Sequence, residues 1–377
     1  MKHDKTIELT ITPNYVSDWS FCDAIRELIQ NGTDQQTVDP ENVFDISYDE
    51  SENTLQLSSS KSVLEIETLL LGCSTKTNDS DTVGQFGEGY KIAALVLNRI
   101  GKTFTVYNNG KNEIWISDFE QSKTFNTKVL TFKIYDHVTD NEGLVIEVEN
   151  VSHEEYEELF KVWLNMPGGE SHKKIETTYG SIFTNEDMQG KVFVNGLAIE
   201  CKSGMHFGYN FKPKYITLER DRKSCNSWDM SKVTADMITE ALNSESISVK
   251  EIINIAKSGN FLDIRYLQFK TWDSDGRKVK EMFINEFDKE NANSIPVSSQ
   301  TDYDHVKQMG GKPVIMPYEI VQIVSDIANE RIDKLAKNMW GGDYTTKEKL
   351  QQWRDFYESD IPTDAIEQFN QIIEELE

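Results

Sequence analysis

The stretch GQFGEGYKIAALVLNR, residues 84–99, sets three glycines within six positions directly ahead of an apolar run. Glycine adopts backbone conformations that other residues resist and lets a second backbone or a ligand approach closely. A helix start leaves its first N–H groups without intrahelical partners and carries partial positive charge. A glycine loop running straight into a helix therefore folds either as a tight turn ahead of a core helix or as a cradle for an anion such as phosphate.

At 377 residues the chain suits two or three domains of roughly 100–200 residues each. No apolar run approaches the roughly 20 residues of a membrane span, and the amino end MKHDKTIELTITPN lacks a signal-peptide core, so the expected compartment is the cytoplasm. Cys22, Cys73, Cys201 and Cys225 are scattered without a C-x-x-C pair, and the six histidines show no metal-ligand spacing. Buried free thiols are expected. Lys plus Arg total 39 against 64 Asp plus Glu, a formal net charge of −25. That sign argues against a general nucleic-acid binder, which must neutralise phosphates, and leaves room only for a local basic cleft. An acidic surface also suits either high solubility or occupation of a basic partner site.

Periodicity predicts a strand at 6–12, a capped helix within 17–35, strands at 43–48 and 54–58, a short helix near 63–72, and then the glycine loop and its helix. Strands follow near 103–108, 113–117, 129–135 and 144–149. This is an α+β arrangement, helices on one face of a mixed sheet, over residues 1–165. NMPGGESHKK (165–174) reads as a boundary. Beyond it KVFVNGLAIE (191–200) is a hairpin, with Asn195-Gly196 at the two positive-φ positions of a type I′ turn. Residues 175–260 form a second α/β domain ending in helix over about 229–258. Residues 261–377 form a third, mostly helical region: helix 278–289, strand 294–298, helix 301–309, strand 313–316 and helix 318–337 suggest a small βαβ unit, and amphipathic helices 345–357 and 363–376 close the chain. Trp272, Trp340 and Trp353 serve there as core or as a partner surface.

In RELIQNGTD, Glu27, Asn31 and Asp34 sit four and then three apart, so a helix places them in one stripe beside the apolar Ala24, Ile25, Leu28 and Ile29. Alone, such a stripe is a solvated face. Beside a phosphate cradle it offers what a nucleotide site needs: an oxygen ligand for Mg²⁺, which Asn31 supplies, and a carboxylate to orient water, which Glu27 supplies. Lys91, just after the glycines, either reaches a phosphate or lies on the exposed side of its helix.

The order E-x-x-x-N on a first helix, a strand pair, LLLGCSTK, then G-Q-F-G-x-G-Y-K resembles the GHKL superfamily of gyrase, heat-shock protein 90, histidine kinases and MutL. ELIxNxxD and GQFGxG look closest to the heat-shock protein 90 branch. The resemblance covers residues 6–165 and implies the Bergerat-type α/β sandwich with ATP and Mg²⁺ as ligands. It implies Glu27 as general base, Asn31 as magnesium ligand, and Asp34 as a further site residue. Gly84, Gln85, Phe86, Gly87, Glu88 and Gly89 would cradle the phosphates, Lys91 beside them, with Ser74, Thr75 and Lys76 in a lid.

Two family positions are altered. SSSKSV puts Ser59 where the family carries the aspartate that reads adenine, with Lys61 and Val63 at its glycines, and EGLVIEV keeps Gly143 but has Leu144 in place of threonine. A serine forgoes a charge-assisted bond worth about 1.5–3 kcal/mol, which implies weak or relaxed nucleotide binding. GKVFVNGLAIE also resembles the transducer domain of MutL-type proteins, where a basic residue reaches the γ-phosphate; the candidates are Lys212, Lys214, Arg220 and Arg222 in FKPKYITLERDRKS.

The resemblance thus implies a slow Mg²⁺-dependent ATPase in which nucleotide drives a conformational change, a nucleotide-dependent homodimer, and engagement of a protein partner. A non-hydrolysing nucleotide-binding interaction protein is the alternative, and a chaperone-like or repair-like clamp a third, opposed by a C-terminal third unlike the dimerisation domains of either. The altered boxes and the VNG–RDR block also look similar to phage-encoded GHKL proteins of the rIIA rapid-lysis type, which would place the chain in host cytoplasm acting on host machinery or defence.

Overall fold

A computed structural model describes residues 3–70, 89–199, 204–218, 224–270, 274–340, 344–358 and 361–374. The chain forms two compact units, residues 1–237 and 238–377. No helix among the described residues is long and apolar enough to cross a membrane.

The first unit opens with β1 (His3–Glu8), α1 (Phe21–Val38), β2 (Phe44–Asp49), β3 (Thr54–Ser59), α2 (Gly89–Arg99), β4 (Thr103–Asn108), β5 (Glu113–Gln121), β6 (Lys128–Asp136), β7 (Leu144–Glu149) and α3 (His153–Val162). The seven strands form one sheet in the order β1-β6-β5-β4-β7-β3-β2. Every pairing in it is antiparallel, where the sequence reading has a mixed sheet. Alternation explains the layering: Phe44 and Ile46, Leu55 and Leu57, Ile146 and Val148 are buried with the apolar faces of α1 and α2 in one core. The other face is polar, and Glu147 there accepts hydrogen bonds from Gln56 (2.8 Å) and Tyr107 (3.2 Å). The segment expected as helix near 63–72 is one short 3₁₀ turn, Ile66–Leu69.

α1 starts at Phe21, later than the sequence suggests, because Ser20 and Asp23 form a capping box. Its mid-helix Gly32 is a packing device. A Cβ there would fall 2.1 Å from the Phe44 ring, so the glycine lets the helix backbone settle onto β2. At the far end of α2, the Arg99 guanidinium donates to the carbonyls of Pro13, Tyr15, Val16 and Trp19 at 2.9–3.2 Å, fastening the loop ahead of α1.

The same unit continues with β8 (Lys174–Thr177), β9 (Gly180–Phe183), β10 (Val192–Val194), β11 (Leu197–Ile199) and β12 (Gly208–Phe211), a sheet in the order β11-β10-β12-β9-β8. Mixed pairing occurs here, since β10 and β12 run parallel. Asn195 (φ 50°) and Gly196 (φ 78°) make the β10–β11 turn as their sequence requires. Trp163 bridges to Leu197, and both lie in the same buried cluster as α1 and β2. The exposed 167–171 stretch leads to a second sheet of which Leu197 joins that cluster, while Phe183, Met188 and Phe193 form a separate one. Cys22 and Cys225 are free thiols, half-buried rather than buried.

α4 (Ser227–Asn243) runs through the division between the units. The second unit then holds α5 (Val249–Ser258), α6 (Leu262–Tyr266), α7 (Ser274–Glu290), β13 (Ile295–Val297), α8 (Gln300–Gln308), β14 (Pro313–Ile315), α9 (Tyr318–Ile323), α10 (Ser325–Trp340), α11 (Thr346–Tyr357) and α12 (Thr363–Glu374). β13 and β14 are parallel with α8 between them, the βαβ unit expected. The helix expected over 318–337 is broken at Val324, which leaves helical geometry at ψ 19°. Arg331 of α10 grips Asp288 with both carboxylate oxygens (2.7 and 2.8 Å) and the Ser294 carbonyl (2.5 Å), tying that helix to α7 and the start of β13.

Overpacking a tight contact costs about 1–3 kcal/mol, more than the roughly 1 kcal/mol of helix propensity that Ala gains over Gly. Gly32→Ala is therefore expected to lower the denaturant midpoint at unchanged m-value. A raised midpoint would show that Phe44 yields.

Candidate functional site

Helical spacing puts Glu27, Asn31 and Asp34 on one side of α1, and α2 packs against that side. Glu27 is 4% exposed and Asp34 fully buried. α2 begins with Gly89, where a Cβ would lie 2.8 Å from Asn31 Nδ2 and 3.0 Å from Glu27 Oε2. A side chain at this position would have to displace the ends of both the Asn31 and Glu27 side chains. The buried Nδ2 of Asn31 has no hydrogen-bond partner among the described residues, a costly state for a polar group unless something else satisfies the amide. Amide nitrogen and oxygen are interchangeable by a flip, so the same group can turn an oxygen toward the gap.

The gap thus meets a carboxylate, an amide whose Nδ2 has no partner among the described residues, and the first described turn of α2. Oxygen groups of this kind suit a hard divalent cation. Tyr90 follows Gly89; burial, and then the nearby Asp34 carboxylate, push its phenol well above the usual tyrosine range and keep it protonated.

Lys91 is fully buried rather than on an exposed helix side, and its ammonium donates to the Thr68 (2.7 Å) and Leu70 (2.6 Å) carbonyls. It caps the end of the 3₁₀ turn and draws residues 66–70 onto the first turn of α2. Ser59 and Gly143 form a second group, at the end of β3 and the start of β7. Ser59 is buried and pairs with Leu144, while Gly143 (φ 74°) stands so close that a Cβ would lie 2.3 Å from the Ser59 carbonyl. The neighbouring Asn108, fully buried, holds Leu64 by both amide ends (3.1 and 2.8 Å). The strand expected near 103–108 ends on this residue, but no local pattern marks its partner 44 residues away.

Lys212 is exposed and donates to the Thr178 carbonyl (2.9 Å), and Lys214 lies over the Tyr215 ring. Ser74, Thr75, Lys76, Gly84, Gln85, Phe86, Gly87, Glu88, Arg220, Arg222 and Trp272 lie outside the described residues. Glu27, Asn31 and Gly89 are therefore brought together, with Lys91 and Asp34 packed around the same helix start.

No family model matches the chain. An uncharacterized protein of Mycoplasma pneumoniae is 24% identical over 223 residues, 55% of this chain and 87% of that protein. Among solved structures, the ATPase region of Saccharomyces cerevisiae topoisomerase II aligns with 47% of this chain at 12% identity and a TM-score of 0.30. The chain spans 62% of that region. The ATPase and transducer domains of topoisomerase II from Balamuthia mandrillaris align with 65% of this chain and 69% of that one, at 10% identity and a TM-score of 0.34. Superpositions this loose carry no residue across.

Lys91→Met keeps the buried stem and strips two carbonyls of their donor. Leaving such groups unpaired costs about 1–3 kcal/mol, so the variant is expected to unfold at lower denaturant, and equal stability would show that the chain at 68–70 finds other donors.

Proposed function

We propose that the chain binds Mg²⁺–ATP where Glu27, Asn31 and Gly89 converge and hydrolyses it slowly, in the manner of a GHKL-type ATPase. The supporting observation is that convergence itself: an E-x-x-x-N pair packed against Gly89 of α2, with the asparagine Nδ2 buried and without a partner among the described residues.

In this reading the Asn31 amide offers an oxygen to the cation, and a bound Mg²⁺ supplies charge neutralisation at the phosphate oxygens. Glu27, held against the first turn of α2, orients a water and accepts its proton. The N–H groups at the start of α2, with the glycines from Gly84 to Gly89, receive phosphate oxygens. Lys91 acts from behind, by fixing residues 66–70, where the lid carrying Ser74, Thr75 and Lys76 begins. The lid and a basic residue of 212–222 would respond to the γ-phosphate and pass its presence to a protein partner.

A second reading, nucleotide binding without turnover, is favoured by one feature: the end of β3 presents a neutral Ser59 paired with the apolar Leu144. In that reading the acidic surface docks on a partner protein, a host protein if the chain is phage-encoded.

Phosphate release and ATP binding, measured together, separate the readings. Glu27→Ala is expected to lower turnover by about 10²–10⁴-fold with binding retained, and Asn31→Ala to raise the Mg²⁺ concentration needed for binding. Binding without turnover in the unmodified chain would leave the second reading, and neither binding nor turnover would overturn both.

A further inference from the structure

Two apolar clusters of the first unit stay separate. Trp163 belongs to the large one, with Phe160 packed against it, whereas Met188 and Phe193 belong to the small one, with Leu164 and Ala198 packed against it. Residues of both line a pocket of about 810 Å³, walled by α3, the chain after Gly169, the 3₁₀ turn Glu186–Met188, and strands β10 and β11. All of its wall lies in the first unit. That volume suits a small organic molecule, since pockets of roughly 300–1,000 Å³ hold drug-sized ligands.

The wall chemistry selects the class of that molecule. The floor is apolar and partly aromatic: Trp163, Met188 and Phe193 are buried, and Phe160, Leu164 and Ala198 half-buried. The charged side chains, Glu157, Glu170 and Asp187 against Lys161 and Lys191, are exposed and form a rim. Lys161 is paired with Glu158, outside the pocket, at 2.7 Å. Among the described residues Glu170 has no ion-pair partner, and Glu157 and Asp187 have only the imidazoles of His153 (3.9 Å) and His172 (3.4 Å). Lys191 is thus left against three carboxylates, in a chain of net charge −25. Such a field repels an anion and draws a cation, and an ammonium group gains further beside aromatic rings.

We infer that this pocket binds a small amphipathic amine, its apolar body on the floor between the two clusters and its ammonium at the carboxylate rim. The site shares no residue with the convergence of Glu27, Asn31 and Gly89 and owes nothing to nucleotide.

Calorimetric titration of the full chain without nucleotide, in about 0.15 M salt so that loose surface attraction is screened, tests this with three probes of one skeleton: phenylbutylamine, phenylbutanol and phenylbutyrate. The amine is expected to saturate and to bind about tenfold more tightly than either of the others. Ala198→Phe, which fills the pocket from a strand position suited to aromatic residues, is expected to abolish that binding at an unchanged unfolding midpoint. Glu170→Lys alters an exposed position and spares the packed floor, so it decides the matter even if the first variant fails to fold. It is expected to weaken the amine about tenfold and to strengthen the butyrate. An amine that binds no better than the alcohol, a butyrate that binds best, or amine binding unchanged by Glu170→Lys or by a folded Ala198→Phe would each overturn the inference.

Discussion

The first unit depends on how closely α1 can be approached. Gly32 lets its backbone settle onto the Phe44 ring of β2, and Gly89 lets the start of α2 come against Glu27 and Asn31. One contact joins helix to sheet and the other joins the two helices that carry the candidate site. The apolar residues of α1 contribute most of the burial, at about 25 cal/mol per Å² of apolar surface removed from water, but burial alone does not set these distances. The missing side chain of Gly32 sets the first of them.

Polar groups then hold the two ends of α2. Arg99 at its last turn binds four carbonyls of the loop preceding α1, and Lys91 at its first turn binds two carbonyls of the 3₁₀ segment. A buried cation near a helix N-terminus is disfavoured both by desolvation and by the dipole. Here the Thr68 and Leu70 carbonyls accept from the ammonium, which ties the 3₁₀ segment to α2.

The second unit is organised differently. The parallel pair β13–β14 with α8, together with Arg331 on Asp288, makes a small core, and α11 reaches it through Phe356 against His305 of α8. The asymmetry between a basic α11 and an acidic α12 is a property of sequence. That Trp353 of one packs on Phe369 of the other is a property of the fold.

Local chemistry made much of this legible in the sequence. Alternation marked all the strands of the large sheet, the Asn195-Gly196 turn followed from its positive-φ demand, and the i, i+4, i+7 spacing placed Glu27, Asn31 and Asp34 on one helix side. Each depends on residues within a turn or two of one another. Tertiary structure decided the rest: that every pairing in the large sheet is antiparallel, that Leu197 joins the large core from beyond the 165–174 stretch, that Lys91 turns inward to carbonyls rather than outward, and that Asn108 clasps Leu64. Those outcomes hang on partners 21–44 residues away or on strand order, and nothing in the local pattern specifies which distant carbonyl or strand will be the neighbour.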